Sequence, residues 1–499
     1  MYKSSKQQSV TQVKTSGTGG LNYVDAPGVM PDEDCQRLNN YLYDTNTQIP
    51  MTRPGSSCVT SSTLSSTSIR KIFPYIKSST EEWLVGAIGN QLYYLTSTSA
   101  WSTTGVTLND ITTVPGMLVF NQKLLVADGG DIKTWDGSSA GILSGTGHPH
   151  ATALAEIKGH VAANSLGDLD GVYFSAVEDE TIWSDGTSEA VRAGYKDGMT
   201  VNALAVAPGG NDLLVSKKED AKKMIYRVNV EDATSTNWYA VPVSINNAAQ
   251  TNCLITAMNE SYFADTNGFK TLRGVQEYGD LMVDFRGRKI NNVFADELVI
   301  NEVSFLPLYN SIWIFAANGR AFVYHPVNGA FTDVVFKAGQ IMSACQLGTT
   351  VYLAGYNGFL YKLNEDVSTD EHPYGTTGSF ESIFKTKQFT FPEAGVLRRV
   401  EAYLTPKLAG TLKLYASTPE HPELLLKTIT LTDEGDFLYD ATGKLYVATG
   451  EIYDAGSDPW FETSYGKTRS RGISFLLKTT SGRVGINQVE AEFGMVGGH

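Results

Sequence analysis

Few side chains in this sequence have the types and spacing that chemistry requires. Gly137-Ser138-Ser139-Ala140-Gly141 matches G-x-S-x-G, the turn that presents a nucleophilic serine. That use needs a strand before the serine and a helix after it, so that Oγ is exposed and backbone N–H groups face an oxyanion. A strand pattern precedes the string, but Ile142-Leu143-Ser144-Gly145-Thr146-Gly147 is a poor helix, so the string reads as a loop between strands. His148-x-His150, with His160 nearby, suggests a metal. Zinc needs three or four converging ligands, and no cysteine or carboxylate at matching spacing accompanies these histidines. Asp168-x-Asp170-Gly171 looks like the start of a calcium loop, without the third oxygen ligand and the distal glutamate. Ser184-Asp185-Gly186-Thr187, after Trp183, is a single partial echo of a box that some glycosidases repeat. Glycoside hydrolysis needs two carboxylates at a set separation, and no acidic motif stands out. No phosphate-binding glycine loop opens a helix. The residues therefore assign no catalytic, cofactor-binding or metal-binding role, and no cofactor is expected.

Cys35, Cys58, Cys253 and Cys345 are far apart, without a C-x-x-C pair, and read as free thiols. The basic concentrations are Lys3/Lys6/Lys14, Arg70-Lys71, Lys217-Lys218 with Lys222-Lys223, Arg286/Arg288/Lys289 and Arg398-Arg399. None is interleaved with aromatics as a base-stacking platform would be. They read as solvated faces or subunit contacts, with Arg286–Lys289 the group best suited to phosphates. The net charge of −14 is uneven: residues 1–80 carry +3, residues 376–499 carry −2, and the middle carries −15. An acidic body disfavours tight binding to DNA phosphates and suits solubility, or a surface past which DNA slides.

The elements that must position these residues are strands. The chain has 499 residues, 42% hydrophobic and 18% charged, with 48 Gly, 25 Tyr and 21 Phe. Such usage favours strands and tight turns over helices. The first twenty residues are polar, without a signal peptide's apolar core. The most apolar stretch, Ser304 to Phe315, is too short to span a membrane as a helix. The expectation is a soluble chain made in the cytoplasm.

A repeat dominates the middle. Tyr262-Phe263-Ala264 precedes Asn267-Gly268, Trp313-Ile314-Phe315-Ala316 precedes Asn318-Gly319, and Tyr352-Leu353-Ala354 precedes Asn357-Gly358. Asn-Gly supplies the two positive φ angles of a tight hairpin turn. Trp83-Leu84-Val85 before Gly89-Asn90 and Leu124–Ala127 before Gly129-Gly130 repeat the pattern, and weaker copies turn near Asp179 and Asp220. The turns recur on average about every 45 residues, the period of a β-propeller. The expected fold is all-β: a propeller of about seven blades over 81–365, then a C-terminal antiparallel β-sandwich over 380–499 with alternating strands. Residues 1–18 read as a flexible polar arm, 19–80 as an entry segment and 366–379 as a linker. A helix signal covers Asp32 to Tyr43, with Asp32 as the cap.

The ends add a resemblance. The entry segment opens on Gly19-Gly20-Leu21-Asn22, passes Asn39-Asn40-Tyr41-Leu42-Tyr43-Asp44 and closes on Thr52-Arg53-Pro54-Gly55. The propeller repeat follows. The chain then closes with Arg471-Gly472-Ile473-Ser474-Phe475-Leu476-Leu477-Lys478 and Gly485-Ile486-Asn487-Gln488-Val489-Glu490-Ala491-Glu492-Phe493. In this order the features resemble the tail nozzle and packaged-DNA stabilisation proteins (tail tubular protein B-like) of short-tailed bacteriophages. The resemblance implies a structural virion protein and not an enzyme. It implies a homo-oligomeric ring, usually a hexamer, below the portal and adaptor, that extends the DNA channel and retains the genome until ejection. Implied partners are the adaptor ring, other tail proteins such as fibres, and double-stranded DNA passing without sequence-specific binding, with no small-molecule substrate. The implied location is the virion tail, after synthesis in the host cytoplasm. The alternatives are a receptor- or glycan-binding propeller of a tail, and a cellular propeller that serves as a protein-binding scaffold.

Overall fold

The computed structural model describes residues 10–495, apart from 65–67, 146, 184–189, 221, 233–236, 275–280, 295–297, 372–375, 432–436, 440–444, 448–451, 454–459 and 465–468. Helix among the described residues is limited to short turns such as Arg286–Ile290 and Asn291–Phe294. None is long and apolar enough to cross a membrane.

The middle of the chain is a β-propeller. Blade one is the meander Ile69–Ile76, Glu82–Ile88, Gln91–Leu95 and Trp101–Thr107. Five further meanders follow, over 116–142, 154–192, 200–245, 254–284 and 300–335. A seventh has only three strands in sequence, Ile341–Leu347, Thr350–Gly355 and Leu360–Asn364. Its fourth comes from the entry segment: Gly55–Cys58 pairs antiparallel, with Cys58 opposite Tyr361 and Gly55 opposite Asn364. The first strand of each blade lies beside the first strand of the next, and Ile341–Leu347 returns to Ile69–Ile76, which closes the ring. Six blades are separate small sheets; blade six, 300–335, runs on into a larger one.

Apolar side chains on both faces of each blade hold the ring. Tyr75, Val85 and Trp135 join blades one and two, Phe174 and Val215 join three and four, and Trp313 and Leu353 join six and seven. Each fully buried side chain of this kind contributes roughly 1.5–3 kcal/mol, and each blade needs both neighbours to bury its faces.

The second body is one curled sheet built around two long strands, Phe389–Ser417 and Arg469–Met495. Leu397 stands opposite Phe493 and Ser417 opposite Ser474, so the paired positions fall along one strand as they rise along the other. The sheet bends over its own core, where Leu397, Leu412, Phe475, Val484 and Phe493 are buried, and so makes the layers of the C-terminal sandwich. Ser382–Thr386 pairs with the entry segment's Asp34–Asn39, and Asn39 meets Asp333 of blade six. Propeller and sandwich thus share a continuous 14-stranded sheet.

Several local expectations differ from the structure. The propeller begins with Ile69–Ile76, inside the span 19–80 read as an entry segment, and not at residue 81, because that strand pairs with Glu82–Ile88. Asp32 to Tyr43 is not helical: Asp34–Asn39 and Tyr41–Tyr43 are strands. Tertiary pairing overrides the helix signal, since Leu38 lies opposite Phe384 and Leu38, Tyr41 and Tyr43 are buried. Asn40 has φ +59° and separates the two strands. Within the arm 1–18, Lys3 and Lys6 lie outside the described residues, but Val10–Thr15 is a strand against the C-terminal end, with Lys14 3.4 Å from Glu490. Within 366–379, Thr369–Glu371 pairs with Thr377–Ser379, and Asp370 stands opposite Ser56.

Candidate functional site

The chemical candidates disperse into turns. Gly137-Ser138-Ser139 is the tight connection between Lys133–Trp135 and Ala140–Ile142 of blade two. Asp136 holds this turn by accepting from Ser138 N at 2.9 Å, Ser138 Oγ at 2.8 Å and Ser139 N at 2.7 Å. These bonds draw its carboxyl down to about 2. A strand, not a helix, follows, so the strand-to-helix turn that the motif needs is not formed.

His150 reaches Asp131 at 3.1 Å, while His160 approaches the Ser175 carbonyl at 2.7 Å. Among the described residues no group of three or more His, Cys, Asp or Glu could hold a metal. Asp168 pairs with Arg192, and Asp170 accepts from Lys217 at 2.8 Å, so protein cations satisfy these carboxylates. Ser184-Asp185-Gly186-Thr187 lies outside the described residues. The four cysteines are free; burial pushes the Cys58 thiol up to about 11, with Glu371 adding to the rise.

Most of the basic concentrations are structural. Arg70 donates to the carbonyls of Thr113, Gly89 and Asp110, which binds the loops around blades one and two. Lys71 lies 3.5 Å from Glu302 and 3.4 Å from the Asn252 side chain, while Glu302 accepts from Ala344 N at 2.9 Å. This group links the inner strands of blades one, six and seven beside the axis. Lys217 is wholly buried between Asp170 and Asp197, each at 2.8 Å. Arg286 meets Glu260 at 3.2 Å and Asp284 at 3.5 Å; Lys289 meets Asp34 at 2.7 Å. Arg398 and Arg399 meet Glu492 and Glu401. Arg286 and Lys289 thus serve the fold, and the group offers no free row of cations for phosphates.

The residues that converge are those of the entry segment. Arg53 is fully buried and grips Asp370, also fully buried, with Nη1 2.9 Å from Oδ1 and Nη2 2.6 Å from Oδ2. The same guanidinium donates to the carbonyls of Pro54 at 2.9 Å and Val335 at 3.0 Å and to Asn40 Oδ1 at 3.1 Å. The Phe380 ring lies 3.6 Å from its central carbon. Asp370 also accepts from Ser56 Oγ at 2.9 Å and from Lys337 N at 2.9 Å. Asn40 completes the node: its Oδ1 accepts from Val335 N at 3.0 Å and its Nδ2 donates to the Glu381 carbonyl at 2.8 Å. Propeller, entry segment and sandwich meet in one bidentate, charge-assisted cluster. Gly55 is required beside it, because a Cβ there would stand 2.1 Å from the Thr369 carbonyl oxygen.

The Gly-Gly start is fixed in the same way. Gly20 has φ +79°, and a Cβ would meet Phe331 N at 2.7 Å. Asn22 donates to Asp34 at 2.7 Å and Asp25 at 2.9 Å. The entry-segment motifs contain Arg53 and Asn40, whereas Asp370 lies in the stretch 366–379 that reads as a linker.

One further buried group was missed. His325, in blade six, packs edge-on against Tyr43 with ring centroids 4.8 Å apart, and its Nε2 has no hydrogen-bond partner among the described residues. Burial pulls its pKa down to about 3. A histidine kept neutral in the fold favours it fully above its unfolded pKa of about 6.5. That contribution is lost as pH falls from there towards 3. Chemical unfolding measured from pH 7 to pH 4 should therefore show a shallower acid-side loss in His325→Phe than in the parent chain.

No family model matches the chain, and no curated protein matches it. Among solved structures it is similar to the computationally designed Ika8 protein, at 14% identity and a TM-score of 0.39, over 61% of this chain and 99% of that one. It is also similar to YCF48 bound to D1 peptide, at 10% identity and a TM-score of 0.43, over 64% of this chain and 98% of that one.

Proposed function

We propose that the chain is a non-catalytic structural subunit of a bacteriophage tail, part of the nozzle ring below portal and adaptor. The observation that supports this reading is the buried node of Arg53, Asp370 and Asn40. The entry-segment motifs on which the resemblance rests are the parts that tie propeller to sandwich. A ring subunit under the load of packaged DNA needs its two bodies to move as one, and a shared sheet with a bidentate ion pair serves that end. Internal use of most of the described basic clusters leaves an acidic chain, suited to a wall along which duplex DNA slides without adhering. The ring is a homo-hexamer with the adaptor above it. The tail role itself needs no small-molecule substrate or cofactor, and the subunit is made in the host cytoplasm before joining the virion.

Native mass measurement of the purified chain, with electron microscopy of particles carrying a labelled copy, tests this. The expected result is a ring of six coaxial with the tail. A chain that stays monomeric and is absent from particles overturns the proposal.

A further inference from the structure

The loops of blades four, five and six meet in an open cleft of about 630 Å³. Lys218 and Lys223 lie in it, directly opposite each other across two antiparallel strands. Like charges in facing positions destabilise a sheet unless something lies between or beside them. Neither lysine makes an ion pair among the described residues, in a chain with 53 acidic and 39 basic side chains. Lys223 donates to Thr266 Oγ1 at 2.5 Å and is half-buried. Burial lowers its pKa, and Lys218 and Lys270 lower it further against the opposing pull of Asp265. Asp265 is itself held by Lys270 at 2.9 Å. Among the described residues the pair thus has no ion-pair partner, within an acidic protein.

The rest of the lining narrows the ligand. Asn246 and Asn267 border the cleft with exposed side-chain amides, which both donate and accept. Leu298 and Val299, the latter 60% exposed, form an apolar wall. Asp220 also borders the cleft and repels a second negative charge, so one anionic group fits better than a row of them. Duplex DNA presents such a row, one charge per roughly 1.7 Å of axis. From this arrangement we infer that the cleft binds an acidic saccharide unit. Lys218 and Lys223 take its carboxylate, Asn246 and Asn267 take its hydroxyls, and the Leu298–Val299 wall lies against its C–H face.

This site goes beyond the structural role and is independent of ring formation, so each can fail alone. Titration of the full-length chain with glucuronic acid, followed by ligand-observed NMR, tests it, with glucose, inorganic phosphate and a short DNA duplex as parallel probes. Saturable binding of glucuronic acid is expected, stronger than that of glucose or phosphate. Lys218→Gln, at a half-buried position, and Asn267→Ala should each weaken it several-fold, and Lys218→Gln with Lys223→Gln at least tenfold. Unchanged circular dichroism shows that the variants fold. No saturable binding, equal binding of phosphate, preferential binding of the duplex, or affinity unaltered in the folded variants would each overturn the assignment.

Discussion

Arg53→Met should destabilise the protein by about 3–5 kcal/mol, the cost of stranding one partner of a buried ion pair. The change leaves Asp370 wholly buried, with Ser56 and the Lys337 amide as donors but without its cation. It also removes the cation from over Phe380 and the donors to the carbonyls of Pro54 and Val335. Asp370→Asn should cost a similar amount, because an amide cannot accept at both of its positions from the guanidinium. Arg53→Lys should not rescue, since an ammonium lacks the planar fork that reaches Asp370, Asn40 and two carbonyls together. The joint change Arg53→Met with Asp370→Leu should recover part of the loss, as uncharged replacements of buried pairs do. Denaturant titration of the four variants measures this. A loss in Arg53→Met below about 1 kcal/mol, the range of an exposed pair, would show that the node is not a buried junction.

The second large effect belongs to Lys217. Its ammonium is fully buried between two carboxylates and also donates to the Ala193 carbonyl at 2.6 Å. Lys217→Met keeps the side-chain length and removes the charge, which leaves Asp170 and Asp197 facing each other unneutralised. A loss of about 3–5 kcal/mol is expected by the same argument. The site lies within the propeller, far in sequence from Asp370. Limited proteolysis should therefore first open the loop Ala193–Met199 in Lys217→Met, and the entry segment in Arg53→Met. If both variants lost the same fragments first, the two networks would not be the separate supports described above. Neighbouring Lys218→Gln, which breaks no ion pair among the described residues, serves as the near-neutral control.

The propeller was readable because its turns place one residue, usually glycine, at positive φ: Gly268 at +131° and Gly319 and Gly358 at +83°. The asparagine before each of these does not share it, so the two positive φ angles expected of Asn-Gly are not formed. Asn267-Gly268, Asn318-Gly319 and Asn357-Gly358 all fall between the second and third strands of their blades, as do Gly89-Asn90, Gly129-Gly130 and Asp220. The exception is informative. The weak copy placed at Asp179 belongs to an extra hairpin in blade three, where Asp179–Trp183 precedes the edge strand Ala190–Arg192. The true equivalent turn of that blade is Ser165–Asp170, the stretch that resembled a calcium loop. Its carboxylates anchor Arg192 and Lys217 instead. The node was not readable for a different reason. Arg53 and Asp370 are 317 positions apart, and no local pattern marks a long-range pair. Asp370 sits on a strand of three residues in a polar stretch, too short for alternation to register.

The fourth strand of the last blade also bears on how the molecule is made. Thr60 and Leu360, which meet at that closure, are 300 residues apart. Gly55–Cys58 leaves the ribosome early and must then wait, unpaired, until Leu360–Asn364 follows. Blades two to five need only local contacts and can form in the order of synthesis, whereas sealing the ring is a late, slow step of high contact order. A strand edge exposed through that interval is a site for pairing with another nascent chain. Crowded expression should therefore favour molecules joined through exchanged strands, in which one copy's Gly55–Cys58 completes the other's ring.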